Sequence, residues 1–279
     1  MTRPGHESVE ELYLDLLKRC LTRYGFGNNY SVYQPIKGTL RGILYRPLKK
    51  FLLSRQLEIV RQLPLDLEKG AEGRIGPADG ETMIGLRRLD NLQQCIADVL
   101  QHSIPGDLIE TGVWRGGATI FMRAVLRAYN DTQRVVWVAD SFQGLPKPNP
   151  LDYRWDAGDW LWRDPQLAVS LEEVKANFTK YGLLDDQVRF LVGWFGDTLP
   201  YAPIERLAIL RLDGDMYEST MDSLHSLYPK LSQGGYVIVD DYGAVPACKA
   251  AVEDFRATNG IMEKLEQIDW TGVFWKRLS

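Results

Sequence analysis

Apolar residues recur at helical spacing from Ser8 to about Arg23 (Val9, Leu12, Tyr13, Leu16, Leu17, Cys20, Leu21), and Ser8 is placed to cap that helix. From about Thr82 the period changes. Short continuous apolar runs, at Asp107 to Thr111, Val135 to Ala139, Val188 to Val192, Leu207 to Leu212 and Gly235 to Val239, read as strands. Between them, amphipathic stretches predict helices near Leu86 to Gln101, Ala118 to Tyr129, Leu171 to Tyr181, Thr220 to Leu231 and Pro246 to Thr258. Strands that are apolar throughout suit burial on both faces, so a parallel sheet covered by helices is expected. Met262 to Ile268 and Val273 to Arg277 flank Asp269-Trp270-Thr271-Gly272, which predicts an antiparallel hairpin at the end of the sheet.

The chain ahead of this α/β pattern has another texture. Tyr30 to Lys50 is basic and aromatic (Tyr33, Arg41, Tyr45, Arg46, Lys49, Lys50), as in an arm packed on a neighbouring subunit or on the domain itself. Contact with an acidic partner is the other reading. Lys69 to Arg74, with two glycines, reads as a connection. Residues 1–80 are thus an N-terminal helical extension and residues 81–279 the α/β domain.

A net charge of −4 over 279 residues argues against a nucleic-acid binder. Cys20, Cys95 and Cys248 form no C-x-x-C pair or Cys/His cluster, so neither a zinc site nor a disulfide framework is indicated, and a reducing cytoplasm is expected. The start is polar, with no signal-peptide pattern, and no apolar run approaches the roughly 18 residues of a membrane span.

Chemistry gathers at strand ends. Glu110-Thr111-Gly112-Val113-Trp114-Arg115-Gly116-Gly117 lies between a strand and a helix, where glycines let the backbone approach a ligand. Its E-x-G-x-x-x-G-G spacing is not the G-x-G-x-x-G of a dinucleotide site, which sets aside an NAD-linked dehydrogenase, and it resembles the first motif of methyltransferases. Asp140 ends the next strand, in Ala139-Asp140-Ser141-Phe142, where an acid can accept both ribose hydroxyls or cap a following turn. Asp213 and Asp215 follow the fourth strand, and Asp240 and Asp241 the fifth. In an open α/β sheet these ends converge. Such carboxylates repel one another unless a cation neutralises them or some stay protonated. Oxygen donors without Cys or His suit Mg²⁺, or Mn²⁺ or Ca²⁺.

His6, His102 and His225 stand away from the strand tips, which leaves an aspartate as the natural proton acceptor. Residues 152–165 hold Trp155, Trp160 and Trp162 among several acids; they read either as a lid stacking on a ring or as a surface loop pinned by buried aromatics.

Together these motifs resemble the TylF/MycF-type family of sugar O-methyltransferases. The resemblance rests on Thr82 to Gly85, Arg88 to Leu92, Ile109 to Gly117, Ala139 to Pro146, Gly193 to Phe195 with Asp197 to Leu199, Leu212 to Thr220, and Val239 to Gly243. It implies a class I methyltransferase fold, a Rossmann-like sheet with a terminal antiparallel hairpin. It also implies Mg²⁺-dependent transfer of a methyl group from S-adenosylmethionine to a hydroxyl, on a sugar of a natural product. Carried onto this sequence, Asp213, Asp240 and Asp241 would hold the metal and Asp215 would be the general base. Glu110, Gly112, Gly116, Gly117, Asp140 and Ser141 would hold the cofactor, with Thr82 and Met83 over its methionine end and Trp194 near its adenine. The family also implies a homo-oligomer acting on a small-molecule acceptor. A catechol-type O-methyltransferase and a non-catalytic protein of the same fold are the competing readings.

Overall fold

The computed structural model describes residues 8–24, 26, 29–36, 38–63, 66–75 and 79–278, so His6 lies outside the described residues. Helix α1 (Val9–Leu21) begins as expected at Ser8, whose hydroxyl accepts the Glu11 N–H while the Glu11 carboxylate accepts the Ser8 N–H. Its Leu14, Leu17 and Leu21 are buried in the core, and Lys18 pairs with Asp90 over the ring of Phe121. Strands β1 (Asn29–Val32) and β2 (Val60–Leu63) form a separate antiparallel pair around α2 (Leu40–Ser54). None of the α2 residues is buried, and Leu40, Ile43, Leu44, Leu48 and Phe51 are exposed. The expected connection at residues 69–74 is in part helical. Asp66 accepts the Lys69 N–H and starts α3 (Leu67–Ala71) despite Gly70, and Gly73 in the left-handed region follows its end.

The domain then runs α4 (Leu86–Gln101), β3 (Asp107–Thr111), α5 (Gly117–Ala128), β4 (Val136–Asp140), α6 (Leu171–Lys180), β5 (Val188–Val192), α7 (Phe195–Thr198), β6 (Leu207–Leu212), α8 (Tyr217–Leu227), β7 (Leu231–Val239), α9 (Pro246–Thr258), β8 (Glu266–Gln267) and β9 (Val273–Lys276). The seven-stranded sheet has the order β5-β4-β3-β6-β7-β9-β8, parallel from β5 to β7 and antiparallel at β9 and β8. Successive residues of one strand face opposite layers. Leu108, Val138 and Ile209 pack towards α1, α4, α5 and α6; Ile109, Leu210 and Val237 pack towards α8 and α9. Each buried aliphatic chain of this kind contributes about 1.5–3 kcal/mol.

Three elements differ most from the boundaries that the sequence predicts. Helix α8 starts at Tyr217 and stops at Leu227, because Pro229 follows in a 3₁₀ turn (Tyr228–Lys230). Strand β7 begins at Leu231 and carries on through Gly234 and Gly235, with the register shifting between the Leu207–Leu231 and Ile209–Tyr236 pairs. At the sheet edge β8 is only two residues long, which limits the unpaired backbone it presents. Among the described residues, no helix is long and apolar enough to cross a membrane.

Candidate active site

The turn after β3 can form only because it lacks side chains at two places. Gly112 has φ +85°, and a Cβ there would stand 1.8 Å from the Asp213 carbonyl oxygen. This contact brings the ends of β3 and β6 together. A Cβ on Gly117 would meet the Glu81 carbonyl at 2.5 Å and the Thr82 Cβ at 2.6 Å, so the segment before α4 lies directly on the start of α5. Gly116 is the α5 N-cap. Asp140 joins this turn to the next: its carboxylate accepts the Val113 N–H at 2.8 Å and the Phe142 N–H at 2.7 Å. Burial raises the Asp140 pKa, opposed by these backbone donors. Trp114, Phe142 and Asp215, each just beyond a strand end, adopt φ of 49°, 56° and 57°. Left-handed backbone of this kind is uncommon outside glycine and concentrates at functional turns.

These turns border a cleft of about 320 Å³, within the usual range for a small-molecule site. Of the residues expected to hold a cofactor, Met83, Gly112, Asp140, Ser141 and Trp194 line it, as do Asp213 and Asp215. Thr82, Glu110, Gly116 and Gly117 do not line it. Glu110 is 2% exposed and its carboxylate pairs with Arg211. Burial, with Asp213, Asp240 and Asp140 adding and Arg211 opposing, pushes its pKa up to about 8.

Behind the cleft, one carboxylate oxygen from each of Asp213, Asp240 and Asp241 lies within 4.8 Å of the others. Besides a bound cation or protonation, the structure supplies a third way to hold these acids together. Arg211 pairs with Glu110, with Asp213 at 2.8 Å and with Asp240, while Arg88 pairs with Asp240 and, at 3.0 Å, with Asp269. Both oxygens of Asp240 are thereby engaged. Neither arginine was singled out from the sequence. The signal for Arg211 was present: one cation inside an otherwise apolar buried strand needs a buried partner. Burial and neighbouring acids raise the remaining carboxyls. Asp213 is pushed up to about 6 and Asp215 to about 7, in each case by burial first. Asp241 is driven well above the usual range by burial and then by Asp215, Asp213 and Asp240, and its Oδ2 is buried with no hydrogen-bond partner.

His102 and His225 stand away from the cleft. The His225 ring packs on Phe255 at 5.4 Å, and His102 is the α4 C-cap residue. Residues 152–165 form two short 3₁₀ turns, Arg154–Asp156 and Leu161–Arg163. Trp155 and Trp160 are 46% and 58% exposed and Trp162 is half-buried, so no tryptophan fully anchors the segment. A buried acid does: Asp156, 1% exposed, accepts the N–H groups of Tyr217 and Glu218 at 2.7 and 3.1 Å.

A parallel sheet closed by a reversed hairpin, with a glycine turn after β3 and an acid at the end of β4, is the fold of class I S-adenosylmethionine-dependent methyltransferases. Within that class the chain belongs to the macrocin-O-methyltransferase (TylF) family, whose model matches residues 10–277, and it is an O-methyltransferase. It is 50% identical over 273 residues (97% of this chain, 94% of the relative) to the 8-demethyl-8-(2,3-dimethoxy-alpha-L-rhamnosyl)-tetracenomycin-C 4'-O-methyltransferase of Streptomyces olivaceus. It is 58% identical over 207 residues (74% of this chain, 79% of the relative) to the demethyldecarbamoylnovobiocin O-methyltransferase of Streptomyces niveus. The solved structure of the O-methyltransferase NovP superposes with a TM-score of 0.82 at 47% identity, covering 97% of this chain and 100% of NovP.

Proposed function

We propose that this enzyme transfers the methyl group of S-adenosylmethionine to a sugar hydroxyl of a glycosylated natural product. In this reading a divalent cation, Mg²⁺ by donor type, sits on Asp213, Asp240 and Asp241, and Asp215 is the general base. The observation that carries the reading is the convergence of those three carboxylates beside Asp215 and the cleft, with Asp241 Oδ2 buried and unpartnered. An all-oxygen donor set without Cys or His fits a hard cation. Arg88 and Arg211 pair with Glu110, Asp213, Asp240 and Asp269, and among the described residues neither forms an ion pair with Asp215 or Asp241, whose carboxyls a cation would favour in the ionised form. The relative named for a rhamnosyl tetracenomycin supports a glycosylated acceptor, and the one named for demethyldecarbamoylnovobiocin supports a natural product.

When bound, the cofactor supplies an activated methyl group and the cation acidifies a neighbouring hydroxyl. The chain's own residues do the rest. Asp215, on the cleft wall two residues from Asp213, would take up the proton of the reacting hydroxyl. Asp140, on the cleft wall, would accept a ribose hydroxyl; its Oδ2 takes the Val113 N–H, and its Oδ1 takes the Phe142 N–H with the Ser141 hydroxyl at 3.4 Å. Met83 and Trp194, part-exposed on the cleft wall, would cover the methionine and adenine ends of the cofactor. Thr82, Glu110, Gly116 and Gly117 act from behind, holding the turn after β3. The exposed apolar residues of α2 support assembly into a homo-oligomer through the N-terminal extension.

The test is calorimetric titration of S-adenosylhomocysteine into the protein and into Asp140→Ala, with and without Mg²⁺. Binding that Asp140→Ala abolishes is expected, followed by methylation of desmethyl glycosides that stops on chelation. An absence of binding in every arm overturns the cofactor reading; turnover undiminished by chelation overturns the metal.

A further inference from the structure

Helix α8 opens at Tyr217, directly after the turn that carries Asp213 and Asp215, and its N-cap residue Met216 has no side-chain oxygen for the free N–H groups of the first turn. Asp156 supplies the cap from a segment 61 residues earlier in the chain. Both of its oxygens are used, one on Tyr217 and one on Glu218. The ring of Tyr153 lies 6.1 Å from that of Tyr217 beside this contact. At its other end the segment is tied to the turn after β3, where the Trp114 indole N–H donates to the Gln166 carbonyl at 2.8 Å. The loop therefore bridges two strand-end turns of the cleft, the one after β3 and the one between β6 and α8.

The capped helix start is itself part of the site. Glu218, Ser219 and Asp222 on α8 line the cleft with Asp215. Asp215 holds φ +57°, and the Met216 N–H closes the turn onto the Gly214 carbonyl at 2.6 Å. A residue in left-handed backbone stays there only while its surroundings enforce it. Asp156 is the side chain that meets the first two N–H groups after that turn, and it comes from the loop.

We propose that Asp156 is a positioning residue for Asp215: by capping α8 from the loop, it makes placement of the base and docking of residues 150–167 a single event. The inference rests on the reading of Asp215 as the base. An acceptor would then meet a correctly held base only under a docked loop, which also keeps the base turn from working on water when the cleft is open.

The test compares Asp156→Ala with Asp156→Asn and Asp156→Ser, which keep a capping oxygen, in the full chain. Hydrogen exchange is followed by mass spectrometry over residues 152–165 and 209–220, and turnover is measured on demethyldecarbamoylnovobiocin. Asp156→Ala is expected to raise exchange at least tenfold in both segments. It should also lower kcat at least tenfold with the KM for S-adenosylmethionine within twofold, and Asn or Ser should recover part of each effect. Faster exchange in 152–165 with 209–220 unchanged overturns the inference, since the loop would then open without disturbing the base turn. So does no change in either segment. Equal losses in the Asn, Ser and Ala variants, matched by equal falls in Tm, overturn it as well, by reducing Asp156 to fold stability. If Asp156→Ala does not fold, the Asn and Ser variants are read by the same criteria against the wild type. Asp215→Asn separates the two levels: wild-type turnover in that variant overturns the base reading, whereas its inactivity beside wild-type kcat in Asp156→Ala overturns the positioning role alone.

Discussion

Arg211, buried next to the last residue of β6, forms an ion pair with Asp240 just after the neighbouring strand β7, and Arg88 of α4 holds the other oxygen of the same carboxylate. The acid cluster is therefore assembled by the fold itself. Removing one member of such a pair leaves a buried charge uncompensated, at a cost of about 3–5 kcal/mol. Arg211→Met should lose stability on that scale in urea denaturation, with or without divalent cation. A loss under 1 kcal/mol would show that the arginine is dispensable to the cluster.

Asp241 sits in the opposite situation. Its carboxyl is driven well above the usual range, so the folded state holds the proton at pH values where the unfolded chain has released it. The group therefore opposes folding above the unfolded pKa of about 4, increasingly so as pH rises. Metal-free Asp241→Asn is expected to melt above the wild type at pH 8, with the gap closing towards pH 4. The same change should weaken Mn²⁺ binding, followed by electron paramagnetic resonance, at least tenfold. Undiminished Mn²⁺ binding would remove Asp241 from the proposed ligand set.

Asp98 works with the reverse sign. Burial pushes its carboxyl up, but hydrogen bonds from Lys276 at 2.6 Å and Tyr236 at 2.8 Å, with the Lys276 charge, outweigh burial and leave it below its ordinary 3.8. The stability it contributes is present above the unfolded pKa and lost as pH falls through the lower folded one. Asp98→Asn should thus be less stable than the wild type at pH 7, and the two denaturation midpoints should converge below about pH 4. A gap that is constant with pH would mean that the contact acts by packing alone.

Gly112→Ala tests the closest backbone approach in the site. The new methyl would collide with the Asp213 carbonyl, and φ +85° alone costs a residue with a side chain of order 1–3 kcal/mol. The expected result is a lower Tm and at least a tenfold loss of S-adenosylhomocysteine affinity. Wild-type affinity would show that the β3 and β6 ends can separate without consequence for the cleft.

Local patterns made much of this fold readable. Continuous apolar runs gave β3, β5 and β6 their ends, and the spacing of Leu89, Leu92, Ile96 and Val99 marked one face of α4. The acids at the strand ends were readable too, because the order of strands and helices says which ends point the same way. The start of β7 was hidden by Gly234 and Gly235, which interrupt its apolar pattern although the ladder continues past them. The partners of Arg88 and Arg211 were hidden for another reason. Arg88 meets Asp240 across 152 positions and Arg211 meets Glu110 across 101, distances over which periodicity carries no information. Asp156, an acid among acids in a tryptophan-rich loop, was visible as a residue but not as a cap, because the helix it serves is remote in sequence.

Helix α1 sets a limit on how this protein can be cut or recombined. Leu14, Leu17 and Leu21 together bury enough to contribute roughly 5–9 kcal/mol as an upper bound. Whole domains of this kind retain only about 5–15 kcal/mol of net stability. A chain begun at Thr82 would therefore be an unfinished enzyme and not a minimal one, with an apolar trench open along α5. For exchange of front segments between relatives, the seam belongs after α1, since no residue of α2 is buried in the core.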